Sequence, residues 1–388
     1  MHIRPLIAWL AIWFVPAAAM GAELVGPADA AIREAGRAWL SESDGVGLTI
    51  GIFENNQRRF FNFGVSQLDG NKPPTKDTVY EIGGISRTFA GQLLARAIVE
   101  GRATLQDQAT KYLDDEYPNL VNDGEHIRLV HLVNSTSQLY DNIPDLTQVR
   151  GVPDEPLAAT RIGVIQRYTL AEFLTQLHRV MPRLPPGTEP SPSNVGAMLL
   201  GVVLGKIYGE PFEAVLAREI EKPLRMASGT QPPAKLLAHG YTAANEPLPP
   251  FGARMQFASN SLRYSADDLL KFCSWQMVER DASVKLAHQP TWSRPDGRVS
   301  LGFFWVLGES PQGRRLIYTG STYGFASLCD LYPDANVTVV LLANKSAAGA
   351  QESLRALSAK IIGLLRPTTE GGAEVSPPSS ADAPRQVR

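Results

Sequence analysis

Two cysteines in 388 residues are too few for a disulfide framework. The six histidines are scattered along the chain. No Cys/His cluster has the spacing of metal ligands, so neither a metal centre nor a cofactor is expected. Charge of neither sign dominates, with 37 Lys and Arg against 39 Asp and Glu. The chain therefore lacks the basic surplus of a nucleic-acid binder and the acidic run of a solvating tail. No internal repeat is present, and after the N-terminal segment no apolar run approaches the roughly 20 residues that span a bilayer. A G-x-S-x-G signature is missing too, which argues against a Ser-His-Asp hydrolase.

The N-terminus reads as a targeting segment. Arg4 is followed by an apolar stretch over residues 6–15 and by small residues at 17–22. This is the three-part pattern of a secretory signal peptide, with cleavage after Ala19 or Ala22, and the alternative is an uncleaved N-terminal anchor. The mature protein is then expected to be secreted or periplasmic, with no membrane span. In an oxidising compartment Cys273 and Cys329 could pair. Their flanks read as a helix and a strand, so two separately buried thiols are expected.

The body of the chain, residues 23–365, reads as one α+β unit. Apolar periodicity predicts a helix over residues 27–40 and a hairpin of strands at 46–53 and 58–65 around Asn55-Asn56. Helical patterns follow at 89–100, 170–181, 195–208 and 211–220. Strand patterns return at 300–306, 315–319, 325–331 and 337–342, and an amphipathic helix closes the unit at 351–365. Strands at both ends with helices between predict one antiparallel sheet, from about 23–83 and 290–365, and a mainly helical lobe over about 84–289. Residues 366–388 are rich in Pro, Ser, Gly and Ala and are expected to be disordered.

Three short motifs carry a resemblance. Tyr80-Glu81-Ile82-Gly83-Gly84-Ile85-Ser86-Arg87-Thr88-Phe89 resembles the active-site segment of class C β-lactamases and the related DD-peptidases and esterases. Residues 132–139 and Leu184-Pro185-Pro186-Gly187-Thr188 resemble supporting segments in the same order. Tyr318-Thr319-Gly320-Ser321-Thr322-Tyr323-Gly324-Phe325 resembles the family's "KTG" or "HTGSTPGF" strand. The match spans roughly residues 28–365. It implies the serine β-lactamase-like fold, with an antiparallel sheet flanked by helices, a helical lobe and a cleft between them.

In that family a serine and a lysine two residues apart share one helix face. The lysine and a second-motif tyrosine help remove the serine proton, and the serine attacks an amide carbonyl. Carried over residue by residue, the serine position holds Gly84 and the lysine position Arg87. The tyrosine of the Tyr-x-Asn motif is Pro192, although Asn194 remains. The third-motif cation is Tyr318, followed by the retained Thr319, Gly320 and Ser321. Glycine brings no nucleophile, and a guanidinium keeps its proton up to a pH of about 12 or more. Shifting the register by two would make Ser86 the nucleophile, with Phe89 where a lysine is needed.

The resemblance then implies a catalytically deficient relative that binds in the old cleft. The candidate ligand is a cell-wall peptide or another carboxylate-bearing molecule, and a protein partner is the other candidate. Gly84, Arg87, Asn142, Asn194, Tyr318, Thr319, Gly320 and Ser321 are the candidate binding residues. If the oxyanion hole is retained, Gly84 and Ser321 supply its N–H donors. Arg87 is either a structural ion-pair partner or a fixed cation for a ligand carboxylate. The alternative function is a divergent hydrolase or transferase with relocated catalytic groups.

Overall fold

The computed structural model describes residues 26, 28–153 and 155–367, so the expected signal peptide and most of the expected disordered tail lie outside the described residues. Eight strands form one antiparallel sheet drawn from both ends of the unit. Its order is Gln57–Gly64, Gly47–Glu54, Val337–Ala343, Ala326–Tyr332, Gly313–Ser321, Val306–Ser310, Ser300–Leu301 and Trp292–Ser293. The N-terminal hairpin closes at Glu54↔Gln57, with Asn55 and Asn56 at φ 51° and 62°. Two successive left-handed residues make the turn that suits the twist of a two-residue hairpin, and asparagine tolerates that conformation.

Alternation along the strands sends side chains to two separate cores. Leu48, Ile50, Ile52, Val339 and Leu341 pack with Ile32, Leu354 and Ile361 of the terminal helices Asp29–Glu42 and Ala350–Leu365. Val340 and Leu342 face the other way, towards helices Ser86–Val99 and Ala266–Val278 and the helical lobe. The first and last parts of the chain thus close one face of the sheet, and the inserted segment closes the other.

Two expectations about local structure change. Residues 300–306 do not form one strand: Phe303, Phe304 and Trp305 are buried, and Phe304 takes φ 65°. Phe303 N–H and Phe304 N–H donate to Ala287 and Val133 carbonyls instead of to a neighbouring strand. The segment at 211–220 is a short helix, Phe212–Leu216, that widens into a π-helical turn at Ala217–Glu221. Cys273 and Cys329 are both free and buried, as expected. The Cys329 thiol is pushed well above its ordinary range by burial and by hydrogen bonding to Cys273.

Candidate functional site

The first motif leaves the sheet lobe on the strand Val79–Glu81, tightens into a 3-10 turn at Gly83–Ile85 and opens into the helix Ser86–Val99. The turn is pressed against the end of strand Gly313–Ser321. A Cβ on Gly83, whose φ is +52°, would stand 2.4 Å from Ser321 N. One on Gly320 would stand 2.0 Å from the Ile82 carbonyl and 2.8 Å from Gly84 N. Only bare backbone allows this approach, so the two motifs interlock through glycine.

Ser86 belongs to this scaffold. It is fully buried, its hydroxyl donates to Gly83 O at 2.7 Å and accepts from Leu262 N at 3.2 Å. Phe89, one turn on, stacks on Phe272 and Tyr264 with ring centroids 3.9 and 4.9 Å apart. The alternative register therefore offers a hydroxyl that closes a turn, with an apolar side chain where a base would stand.

Arg87 points to the junction of the motifs. It is only 3% exposed. Nη2 donates to Asn194 Oδ1 at 2.8 Å, Nη1 reaches the Tyr318 hydroxyl at 3.5 Å, and buried Nε has no partner. Among the described residues no carboxylate pairs with it, so the ion-pair reading of Arg87 gives way to a cation held by neutral oxygens. Asn194 Oδ1 also accepts from Asn260 Nδ2 at 3.3 Å.

Pro192 is half-buried and precedes Ser193, the N-cap of helix Asn194–Tyr208. Ser193 Oγ accepts from Gly196 N at 3.0 Å and donates to Asp141 Oδ1 at 2.9 Å, and the same oxygen accepts from Val195 N at 3.0 Å. A carboxylate against the first turn satisfies free N–H groups and complements the helix dipole. This clamp fixes Asn194 opposite Arg87. Asn142 is exposed beside Asp141 and forms no part of the Arg87–Asn194–Tyr318 group.

The third motif is split by the strand period. Tyr318 packs with Leu316 against the helical-side core, its ring close to Gly84. Thr319 points to the opposite face, where its hydroxyl accepts from Arg355 Nη2 at 3.4 Å and reaches Gln351 Oε1 at 3.5 Å. The expected binding role of the Thr319 side chain is corrected accordingly, because neighbouring strand residues face opposite sides. Its carbonyl stays on the cleft side, 3.2 Å from where a Gly84 Cβ would stand. Ser321 lies against Gly83 at the strand end.

Three residues near these motifs escaped the sequence reading: Asp141, Asn260 and Glu81. Glu81 is 5% exposed and binds two wall segments at once. Thr322 Oγ1 donates to its Oε2 at 2.6 Å, and Phe251 N–H donates to its Oε1. Burial pushes its carboxyl up to about 7, against the pull of Thr322, Phe251 N–H and the Arg263 charge. Its place at the end of a buried strand, just before the paired glycines, is the only sequence signal for it.

Chemically, the junction brings together a guanidinium, a phenol and two amides, with no proton acceptor of basic character. A family model described as beta-lactamase matches residues 28–362. A β-lactamase of Pseudomonas fluorescens is 25% identical over 353 residues, covering 80% of this chain and 92% of the relative. The D-alanyl-D-alanine-carboxypeptidase/endopeptidase AmpH of Escherichia coli K12 is 22% identical over 322 residues, covering 78% and 80%. A solved class C β-lactamase superposes with TM-score 0.73 at 20% identity, over 88% of this chain and 97% of the other. A β-lactamase/D-alanine carboxypeptidase from Pseudomonas syringae gives 0.72 at 20% identity, over 88% and 100%. The fold is thus the serine β-lactamase fold expected from the motifs.

Proposed function

Because the chain belongs to the β-lactamase family yet holds glycine and arginine where the family chemistry needs serine and lysine, we propose that it binds a peptide-like envelope ligand in the old cleft and does not hydrolyse it. The observation that carries this reading is the pair Gly84 and Arg87. The backbone turn that presents a nucleophile is in place, but the residue at its tip has no side chain. The nearest helix-face partner is a guanidinium that cannot take a proton. Pro192 adds no hydroxyl, and the Tyr318 phenol faces the same cation. Acylation requires a hydroxyl and a base in contact, and this junction supplies neither together.

Two further features support the choice of ligand. The relative AmpH is named for D-alanyl-D-alanine substrates, which suggests a peptide ending in D-alanine. The N-terminal segment has signal-peptide form, and export would bring the protein to the cell envelope where such peptides occur.

The test pairs labelling with binding. Purified protein is incubated with a penicillin and with a serine-reactive phosphonate, then weighed intact. Acetyl-D-alanyl-D-alanine is titrated by calorimetry in parallel. The reading expects unchanged mass and measurable heat. A stoichiometric adduct on any serine favours a divergent hydrolase with relocated groups.

A further inference from the structure

A line of hydrogen bonds runs through the helical side of the molecule from Asp281 to Glu279. Its inner members are Ser283, Gln92, Gln276 and His288, each at most 7% exposed. Asp281 caps the short helix Ala282–Ala287, where its Oδ1 accepts from Ser283 N at 2.8 Å and from Ser283 Oγ at 2.7 Å. Ser283 Oγ lies 2.8 Å from the Gln92 amide, and the Gln92 and Gln276 amides meet at 3.0 Å. Gln276 lies 3.0 Å from His288 Nε2, and on the other side of the ring Nδ1 lies 2.7 Å from Glu279 Oε1.

Both ends of this line are carboxylates, and a carboxylate only accepts. The direction of every bond between them follows. The one hydroxyl proton of Ser283 goes to Asp281, so its oxygen accepts from the Gln92 NH2. The Gln92 oxygen then accepts from the Gln276 NH2, and the Gln276 oxygen accepts from His288 Nε2. Glu279 also takes both ends of the Arg314 guanidinium, each at 3.1 Å. Its bond with His288, and then Arg314, hold its carboxyl down to about 2 against burial. It stays an acceptor, so Nδ1 donates as well. The line as it stands needs a proton on each ring nitrogen, which is the charged imidazolium.

The surroundings of the ring oppose that charge. Burial pulls its value below the ordinary 6.5, the Glu279 carboxylate pulls it up, and the Arg314 charge pulls it down again. Trp305 meets the ring edge-on, with centroids 6.3 Å apart, and brings no charge. Arg96 stands at the far end of the line, 3.4 Å from Asp281 Oδ2. When Nε2 loses its proton to solvent, Nδ1 keeps its own, because Glu279 can only accept. The bare Nε2 then needs a donor. Gln276 must turn its NH2 to the ring, Gln92 must turn in response, and the Gln92 oxygen then faces Ser283 Oγ. The hydroxyl can pair with it only by leaving Asp281. The two arrangements run in opposite directions, and any mixture of them leaves a buried group unpaired.

We propose that His288 is a proton-operated switch: its second proton sets the direction of the buried line, and losing it turns both glutamine amides and moves the Ser283 hydroxyl from Asp281 to Gln92. The switch is built into the elements that bear the motifs. Gln92 is on helix Ser86–Val99, which carries Arg87, and Arg314 is on strand Gly313–Ser321, which carries Tyr318. It stands whether the cleft binds or hydrolyses.

The test is histidine-selective nitrogen NMR on the whole protein, with His288 assigned through its own backbone, between about pH 4.5 and 8. Both ring nitrogens should be protonated at the acid end. At the neutral end the proton should remain on Nδ1 and Nε2 should be bare. The side-chain amide signals of Gln92 and Gln276 should shift with the same midpoint, below 6.5. Ser283→Ala removes the hydroxyl three links from the ring, and with it the tie to Asp281 that favours the acid direction. It should lower the His288 midpoint by about half to one pH unit, the size of one net hydrogen-bond contribution. A serine with a purely structural role would leave that midpoint in place. A neutral ring with its proton on Nε2 overturns the inference, and that observation needs no variant. An unchanged midpoint in folded Ser283→Ala also overturns it, as does a ring that keeps one state across the range while the protein stays folded.

Discussion

Tyr318 stands where a side chain at position 84 would need room: a Cβ on Gly84 would lie 3.3 Å from Tyr318 Cε1 and 3.2 Å from the Thr319 carbonyl. The two residues are therefore fitted to each other. A β-carbon at position 84 would press on the ring, which would have to give by a few tenths of an ångström.

Gly84→Ser alone should crowd the Tyr318 ring and cost about 1–3 kcal/mol of stability, the usual range for overpacking. It should give no acyl adduct with a penicillin, because Arg87 cannot take the hydroxyl proton. Combining it with Arg87→Lys, Pro192→Tyr and Tyr318→Lys removes the ring and supplies both missing bases. We expect slow acylation from the fourfold variant, read by intact mass. Residues that act as one catalytic unit are non-additive, so a single variant that acylates as fast as the fourfold one contradicts the account.

Gly320→Ala should be far more damaging than Gly84→Ser. Its Cβ would meet the Ile82 carbonyl at 2.0 Å, and the backbone on both sides is fixed by the sheet and by the motif turn. Chemical denaturation should show a loss beyond about 3 kcal/mol. A change below about 1 kcal/mol means that the two motifs are not interlocked.

Glu81 makes stability depend on pH in a stated direction. Its ordinary value of 4.5 is raised to about 7 by burial. The folded chain then binds this proton more tightly than the unfolded chain. The stability it contributes is full below about pH 4.5 and is lost as pH rises through about 7. The loss is on the order of 3 kcal/mol at most, at about 1.4 kcal/mol per pH unit. Glu81→Gln should flatten the stability profile between these pH values, because Gln cannot ionise and still offers an oxygen to Phe251 N–H. An unchanged slope in the variant removes Glu81 as its source.

Asp141→Ala should release the start of helix Asn194–Tyr208, where Ser193 and Val195 share its Oδ1. The expected cost is about 0.5–2 kcal/mol, as for the loss of a helix cap. Because Asn194 holds Arg87 at 2.8 Å, the variant should weaken ligand binding more than Asn142→Ala, whose side chain is exposed. Calorimetry with the same peptide compares the two.

Much of this was legible in the chain. The hairpin turn at Asn55-Asn56 and the sheet built from both termini follow from local pattern. So do the motif positions of Gly84, Arg87, Asn194 and Tyr318, since each is tied to a short segment of recognisable form. What escaped depends on distant contacts. The break of the strand pattern at Phe303-Phe304-Trp305 occurs because these side chains are buried on the helical side, with Phe303 and Phe304 bonded to Ala287 and Val133. The influence of Cys273, on helix Ala266–Val278, upon Cys329, on strand Ala326–Tyr332, is likewise revealed by no spacing of two residues. Asp141 and Glu81 are ordinary acids in sequence, and their clamps join segments about 50 to 240 positions apart. The direction of Thr319 was within reach, because the strand period that faces Tyr318 to the cleft turns its neighbour away.

The most direct measurement is the intact mass of the purified protein after prolonged incubation with a reactive penicillin, followed by peptide mapping. An unchanged mass, with the penicillin recovered unhydrolysed, is the result expected of a cleft whose motif turn ends in glycine beside an arginine. A stoichiometric increase by one penicillin, mapped to any serine, contradicts it.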